Sequence, residues 1–189
     1  MSQLPIYTIG YGAREIEDFI AVLKSRQIAF LIDIRSKPYS RYKPDFSKHA
    51  LERKLQVQGI RYVFMGDTLG GQPDDPDCYK EDGKVDYGKI TGKEFYARGI
   101  GRLRQAWQNQ VSVVLMCSEG KPEMCHRSKL IGKSLVEEGI DLIHIDENNQ
   151  LISQEDVILR LNKGQPSLLP DFYEYTSRKK YREDDEVSR

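Results

Sequence analysis

Val111-Ser112-Val113-Val114-Leu115-Met116, running into Cys117-Ser118-Glu119-Gly120-Lys121-Pro122-Glu123-Met124-Cys125-His126-Arg127, is the stretch on which the fold turns. Its first part is short, apolar and β-branched, which is the signature of a buried strand. Its second part leads into a helix: Pro122 stands near the first turn, Leu130, Ile131 and Leu135 carry the apolar spacing, and Gly139 follows the end. In an α/β protein a strand-to-helix turn lies at the carboxyl edge of the sheet, where ligands bind. The pattern therefore predicts that Cys117, Glu119, His126 and Arg127 are delivered to one crevice.

Working outward, four more apolar runs read as strands: Ile6 to Ile9, Phe30 to Ile34, Tyr62 to Phe64, and Leu142 to Ile145. Helical patterns separate them. Ile16, Phe19, Ile20 and Leu23 fall on one helical face. Ser47 is placed to cap a helix that uses Leu51 and Leu55 and closes at Gly59. Thr91 and Glu94 form a capping-box pattern ahead of Tyr96, Ile100, Leu103 and Trp107, and Ser153 with Asp156 opens a last helix through Leu161 to Gly164. The alternation predicts an α/β fold: a single domain over residues 1–164, with a mostly parallel central sheet of about five strands and helices on both faces.

The 189 residues suit one domain with a sizeable core. Twenty-nine Lys and Arg balance 29 Asp and Glu, so any nucleic-acid binding must use a local basic patch. Three cysteines are too few, and odd in number, for a disulfide framework, which points to reduced thiols and a cytoplasmic location. The first residues lack the charged and apolar regions of a signal peptide, and no apolar run approaches the ~18 residues of a membrane span.

Residues 66–90 form the longest segment without periodicity, with Gly70-Gly71, two prolines and seven acids. Such a long loop is either a solvated excursion or a functional element, here a lid over the crevice. Beyond the domain, residues 165–189 carry apolar spots at Leu168, Leu169, Phe172, Tyr173 and Tyr175 that suit docking. The run from Arg178 to Glu186, basic and then acidic, reads as a solvated, partly disordered tail.

A second constellation follows the second strand. Asp33 and Arg35 are two apart, so they share a face if the strand persists. Arg35, Lys37, Arg41, Lys43 and Lys48 interleave with Tyr39, Tyr42 and Phe46. Cations neutralise phosphates and aromatic faces stack on bases, so this mixture suits a nucleotide or a single strand; a polar loop with locally packed tyrosines is the plainer alternative. Cys117 is either an inert buried thiol or a nucleophile activated by His126, Arg127 or the helix start. Glu119 is a surface carboxylate or a placed acid/base. Arg127 offers a fork for phosphate, or a salt bridge to Asp33 or Glu119.

Zinc is not expected, nor any other metal or cofactor: the spacing of Cys117, Cys125 and His126 matches no common zinc pattern, and adjacent helical residues point roughly 100° apart. A phosphatase loop needs Arg six residues after the cysteine, and Glu123 stands there. Thr8-Ile9-Gly10-Tyr11-Gly12 has one glycine pair and no third glycine, weak grounds for dinucleotide binding.

Thr8-Ile9-Gly10, Asp33-Ile34-Arg35 with Pro38, Ser40 and Arg41, Phe46, Leu69-Gly70-Gly71, Cys117-Ser118-Glu119 and Cys125-His126-Arg127 occur in the order seen in the bacterial and archaeal domain-of-unknown-function family 488, which the chain resembles from residue 8 to 127. That family often has His where this chain has Tyr11. The resemblance implies an α/β fold and a shared crevice, and brings no reaction. From the residues we expect an enzyme of hydrolysis or group transfer on a phosphate-bearing nucleotide or nucleic acid. Asp33 and Glu119 would serve as acid/base pair, with His126 and Cys117 beside them. Gly10, Tyr11, Arg35, Ser40, Arg41, Tyr42 and Arg127 would lie around the anion. A non-catalytic nucleotide or nucleic-acid binder and a thiol-dependent sulfur or redox enzyme are the alternatives.

Overall fold

The structure is a computed structural model and describes residues 3–162 and 176–181. Five parallel strands, β1 (Ile6–Gly10), β2 (Phe30–Asp33), β3 (Arg61–Phe64), β5 (Val113–Cys117) and β6 (Leu142–Ile145), make the sheet, and β7 (Leu151–Ser153) adds an antiparallel edge. The spatial order is β3-β2-β5-β1-β6-β7. A separate antiparallel pair joins β4 (Lys84–Asp86) to β8 (Thr176–Lys180). The α/β class and parallel sheet are as the alternation predicts; β7 escaped notice because Leu151-Ile152-Ser153 is too short to show a period.

Strand pleating divides the core. Leu31, Val114 and Met116 face α1 (Ile16–Ser25) and α2 (Lys48–Val57) through Phe19, Leu23, Leu51 and Leu55. Ile32, Val113 and Leu115 face the other side, where Tyr96, Ile100 and Leu103 of α5 (Glu94–Gln108) pack with Leu130, Ile131 and Leu135. The last three lie on a π-helical segment (Arg127–Gly132) and on α6 (Lys133–Glu137). From β2 the chain runs outward to β3; from β5 it runs the other way, past β1 to β6. These connections diverge between the carboxyl ends of β2 and β5, and that divergence opens the ligand crevice of an open α/β sheet.

Three expectations are corrected. The aperiodic segment folds as α3 (Gly66–Leu69), a 3₁₀ turn (Pro76–Cys78), β4 and α4 (Tyr87–Thr91). Elements of three to five residues are too short for a period, and the partner of β4 lies some ninety residues downstream. Thr91 does not cap α5: it ends α4, its hydroxyl donates to the Gly88 carbonyl, and Lys93 is the N-cap residue. Arg178 to Lys180 are exposed, as expected of the charged end, but they form strand paired with β4. The capping box at Ser153 and Asp156 forms as expected at the start of α7 (Gln154–Leu161). Gly164, the apolar spots from Leu168 to Tyr175 and the acidic end fall outside the described residues. No helix among the described residues is long and apolar enough to cross a membrane.

One buried histidine ties β1, β6 and α7 together. His144 Nδ1 accepts from the Thr8 hydroxyl at 2.6 Å, and Nε2–H donates to Gln154 Oε1 at 2.7 Å. Burial holds this imidazole down at about 4, well below its ordinary 6.5. The unfolded chain therefore binds the extra proton first, so stability is full above pH 6.5 and falls as pH drops toward 4. At about 1.4 kcal/mol per pH unit the loss reaches about 3 kcal/mol. Urea unfolding at pH 7 and pH 4.5 should show this difference, and His144→Gln should flatten it.

Candidate functional site

The crevice encloses about 170 Å³ at the carboxyl ends of β1, β2 and β5. Tyr11, Arg35, Cys117, Glu119 and His126 all line it, so five of the expected site residues converge. Gly10, Asp33, Ser40, Arg41, Tyr42 and Arg127 are absent from its walls. Arg41 and Tyr42 stand in solvent, whereas Ser40 is buried and accepts from the Tyr11 hydroxyl at 3.3 Å.

Arg35 is 5% exposed. Its Nε and Nη2 donate to the two Asp33 carboxylate oxygens at 2.9 and 2.6 Å, and Nη2 also reaches the Phe46 carbonyl at 2.8 Å. The guanidinium lies 5.4 Å from the centre of the Tyr11 ring, which itself stacks on Phe46 at 4.3 Å. Hydrogen bonding and attraction from Asp33 hold the Arg35 cation firmly protonated, against the opposing effect of burial. Its Nη1 is buried with no hydrogen-bond partner among the described residues. Asp33 is fully buried and accepts from the Tyr62 hydroxyl as well, at 2.7 Å. Both of its oxygens are engaged by Arg35 and Tyr62, and it does not line the crevice, so it anchors Arg35.

Arg127 is likewise fully buried. Its two terminal nitrogens donate at 2.7 Å to the carbonyls of Glu119 and Gly120, which shape the turn after β5. The terminal nitrogens of the arginine that the sequence offered to an anion are engaged by backbone, while its buried Nε has no hydrogen-bond partner among the described residues. Gly10 is required by the same contact: a Cβ there would sit 1.7 Å from the Glu119 carbonyl oxygen and 2.3 Å from Arg127 Nη1. The Glu119 side chain is half-exposed at the rim, 3.7 Å from Arg178.

Behind this rim lies a cluster of two thiols and an imidazole. His126 Nε2 is 3.2 Å from the Ile34 carbonyl, which can only accept, so Nε2 carries a proton and Nδ1 is the atom turned to the thiols. Cys117 Sγ and Cys125 Sγ lie 3.8 and 3.7 Å from that Nδ1. The Arg127 backbone N–H points at Cys125 Sγ at 3.5 Å. A hydrogen bond from Cys125, reinforced by His126 and Arg127, holds the Cys117 thiol well below its usual range. Burial and the neighbouring Cys117 push Cys125 up. All three cysteines are free thiols. The argument that Cys125 and His126 must diverge assumed a helix through both. Cys125 is extended, at φ −120° and ψ 151°, and helical backbone begins only at His126, so both side chains aim at one point. Gly71 packs against the histidine: a Cβ there would approach the ring to within 2.8 Å.

Cys125, Gln72, Tyr87, Arg178, Lys179 and Tyr181 also line the crevice and were not singled out from the sequence as site residues. Arg178 and Lys179 arrive on β8, whose pairing with β4 no local pattern announces. Leu69-Gly70-Gly71 was the one signal that the segment after β3 reaches the site. No curated protein matches the chain. A family model described as a domain of unknown function, DUF488, matches residues 15–133, which takes in β2, β5, the thiol cluster and both buried arginines. With more than half of its length matched, the chain belongs to the DUF488 family.

Proposed function

We propose that this chain is an enzyme of hydrolysis or group transfer acting on a phosphate-bearing substrate, a nucleotide or nucleic-acid strand, whose anionic group enters the crevice. The observation that carries this reading is Arg35, a buried cation lining the crevice whose Nη1 has no hydrogen-bond partner among the described residues. A buried N–H left unsatisfied is costly, and a charged one more so; an anionic oxygen removes that cost. Lys37, Arg178 and Lys179 bring further positive charge to the same walls, against the carboxylate of Glu119. The volume suits a phosphate group rather than a whole nucleotide, and sites that enclose drug-sized ligands begin at about 300 Å³. The rest of the substrate would lie outward, where Tyr39 and Tyr42 are 71% and 92% exposed and offer stacking faces. Glu119, at the mouth, would accept a hydrogen bond from an attacking hydroxyl or water.

Thermal shift with inorganic phosphate, a nucleotide panel and short oligonucleotides tests the reading. A ligand at one hundred times its Kd should add about 2.7 kcal/mol of stability. Lys37→Ala and Lys179→Ala, which touch only the rim, should weaken the effect and its salt dependence while the unliganded protein melts as before. A wild type that melts identically with and without every member of the panel would remove the proposal.

A further inference from the structure

We infer that Cys117, Cys125 and His126 form a metal site for a thiolate-preferring divalent cation, zinc in the first instance, with one coordination position open to the crevice. The three ligand atoms lie within 4.8 Å of one another, and all three side chains are buried. Tetrahedral zinc, with Zn–S of about 2.3 Å and Zn–N of about 2.0–2.1 Å, sets sulfur and nitrogen about 3.6 Å apart. Here the two sulfurs stand 3.8 and 3.7 Å from Nδ1. The imidazole is fixed in the tautomer a metal needs: Nε2–H is committed to the Ile34 carbonyl and Nδ1 faces the sulfurs. A ligating histidine backed by a carbonyl is the usual outer-shell arrangement around a protein-bound metal. The Arg127 backbone N–H aimed at Cys125 Sγ supplies the matching support for a thiolate.

Two thiolates neutralise a divalent cation, and the third ligand adds no charge. The set has three protein ligands where a closed structural zinc site has four. All three residues line the crevice, so the fourth position faces the space beside Arg35. Water or an anionic oxygen of the substrate would occupy it. The metal site stands independently of the phosphate reading, since its ligands are distinct from the cationic walls.

The test uses the full chain, stripped of metal by chelator under reducing conditions and titrated with Co(II) and then Zn(II). We expect one metal per chain, with the thiolate-to-cobalt charge transfer and visible bands of a tetrahedral thiolate site, displaced by zinc. Cys125→Ser and His126→Ala should each lower affinity by at least about 100-fold, the upper end of what outer-shell changes cost. Cys78→Ser removes a buried thiol that is not part of the cluster and should leave the metal stoichiometry and affinity of the folded protein unchanged. Far-UV circular dichroism identifies folded variants, and Cys117→Ser provides a second reading if His126→Ala fails to fold. Absence of stoichiometric uptake by the wild type, an octahedral cobalt spectrum, or uptake undiminished in folded Cys125→Ser would overturn the site. Phosphate stabilisation measured on the metal-free protein reports on the Arg35 crevice alone, so the two proposals fail separately.

Discussion

Arg127→Ala is expected to lower unfolding free energy by about 4 kcal/mol, a large part of the 5–15 kcal/mol typical of a domain. The arginine donates to the carbonyls of Glu119 and Gly120 from a fully buried position. Each hydrogen bond to a charged donor contributes about 1.5–3 kcal/mol, and both carbonyls would be left facing a cavity. For a chain of this size the midpoint should fall by roughly 10 °C. Arg127→Lys keeps the charge but lacks the fork, so it reaches one carbonyl at most and should recover less than half of the loss. Because these carbonyls set the turn between Cys117 and Cys125, metal affinity should fall together with stability. Should Arg127→Ala melt within about 2 °C of wild type while phosphate stabilisation disappears, Arg127 would be an anion ligand and not a brace.

The sheet was legible because four of its five parallel strands are largely buried apolar runs, the edge strand β3 being only partly covered, and because the long intervening helices keep one apolar stripe. The crevice was legible for the same reason: β2 and β5 each end in polar residues, and the topology brings those ends together. What the sequence hid were the partners. Asp33 and Arg35 share a face as spacing requires, but their pairing through both carboxylate oxygens is a rotamer choice that spacing does not specify. The sequence offers Arg127 an anion or the carboxylates of Asp33 and Glu119, whereas its acceptors are backbone carbonyls, which carry no residue-type signal. The spacing of Cys117, Cys125 and His126 fits no common zinc pattern and a helix through the last two would turn them apart, but a single extended residue, Cys125, removes that divergence. Arg178 and Lys179 reach the rim through a strand pair nearly a hundred residues apart in sequence, a contact that no window along the chain contains.

The Asp33–Arg35 pair allows its two candidate roles to be separated. Arg35 is buried, and Asp33 answers two of its nitrogens while also accepting from Tyr62. Removing one member of a buried, hydrogen-bonded ion pair leaves the other uncompensated, at a cost of about 3–5 kcal/mol. Asp33→Ala should therefore destabilise by that amount. Arg35→Met in the same background should restore part of it, since the stranded charge is removed and the side-chain volume is largely kept. Phosphate stabilisation should be lost in both, because Arg35 Nη1 is either misplaced or gone. Urea unfolding of the two single variants and the double variant gives the coupling energy, and thermal shift with phosphate gives the binding. A general acid/base at position 33 predicts the reverse pattern: turnover falling by about 10²–10⁴-fold with folding and binding nearly intact. Asp33→Ala with less than about 1 kcal/mol of lost stability and unchanged phosphate binding would return Asp33 to the reacting groups, because a buried partner that matters costs several times more.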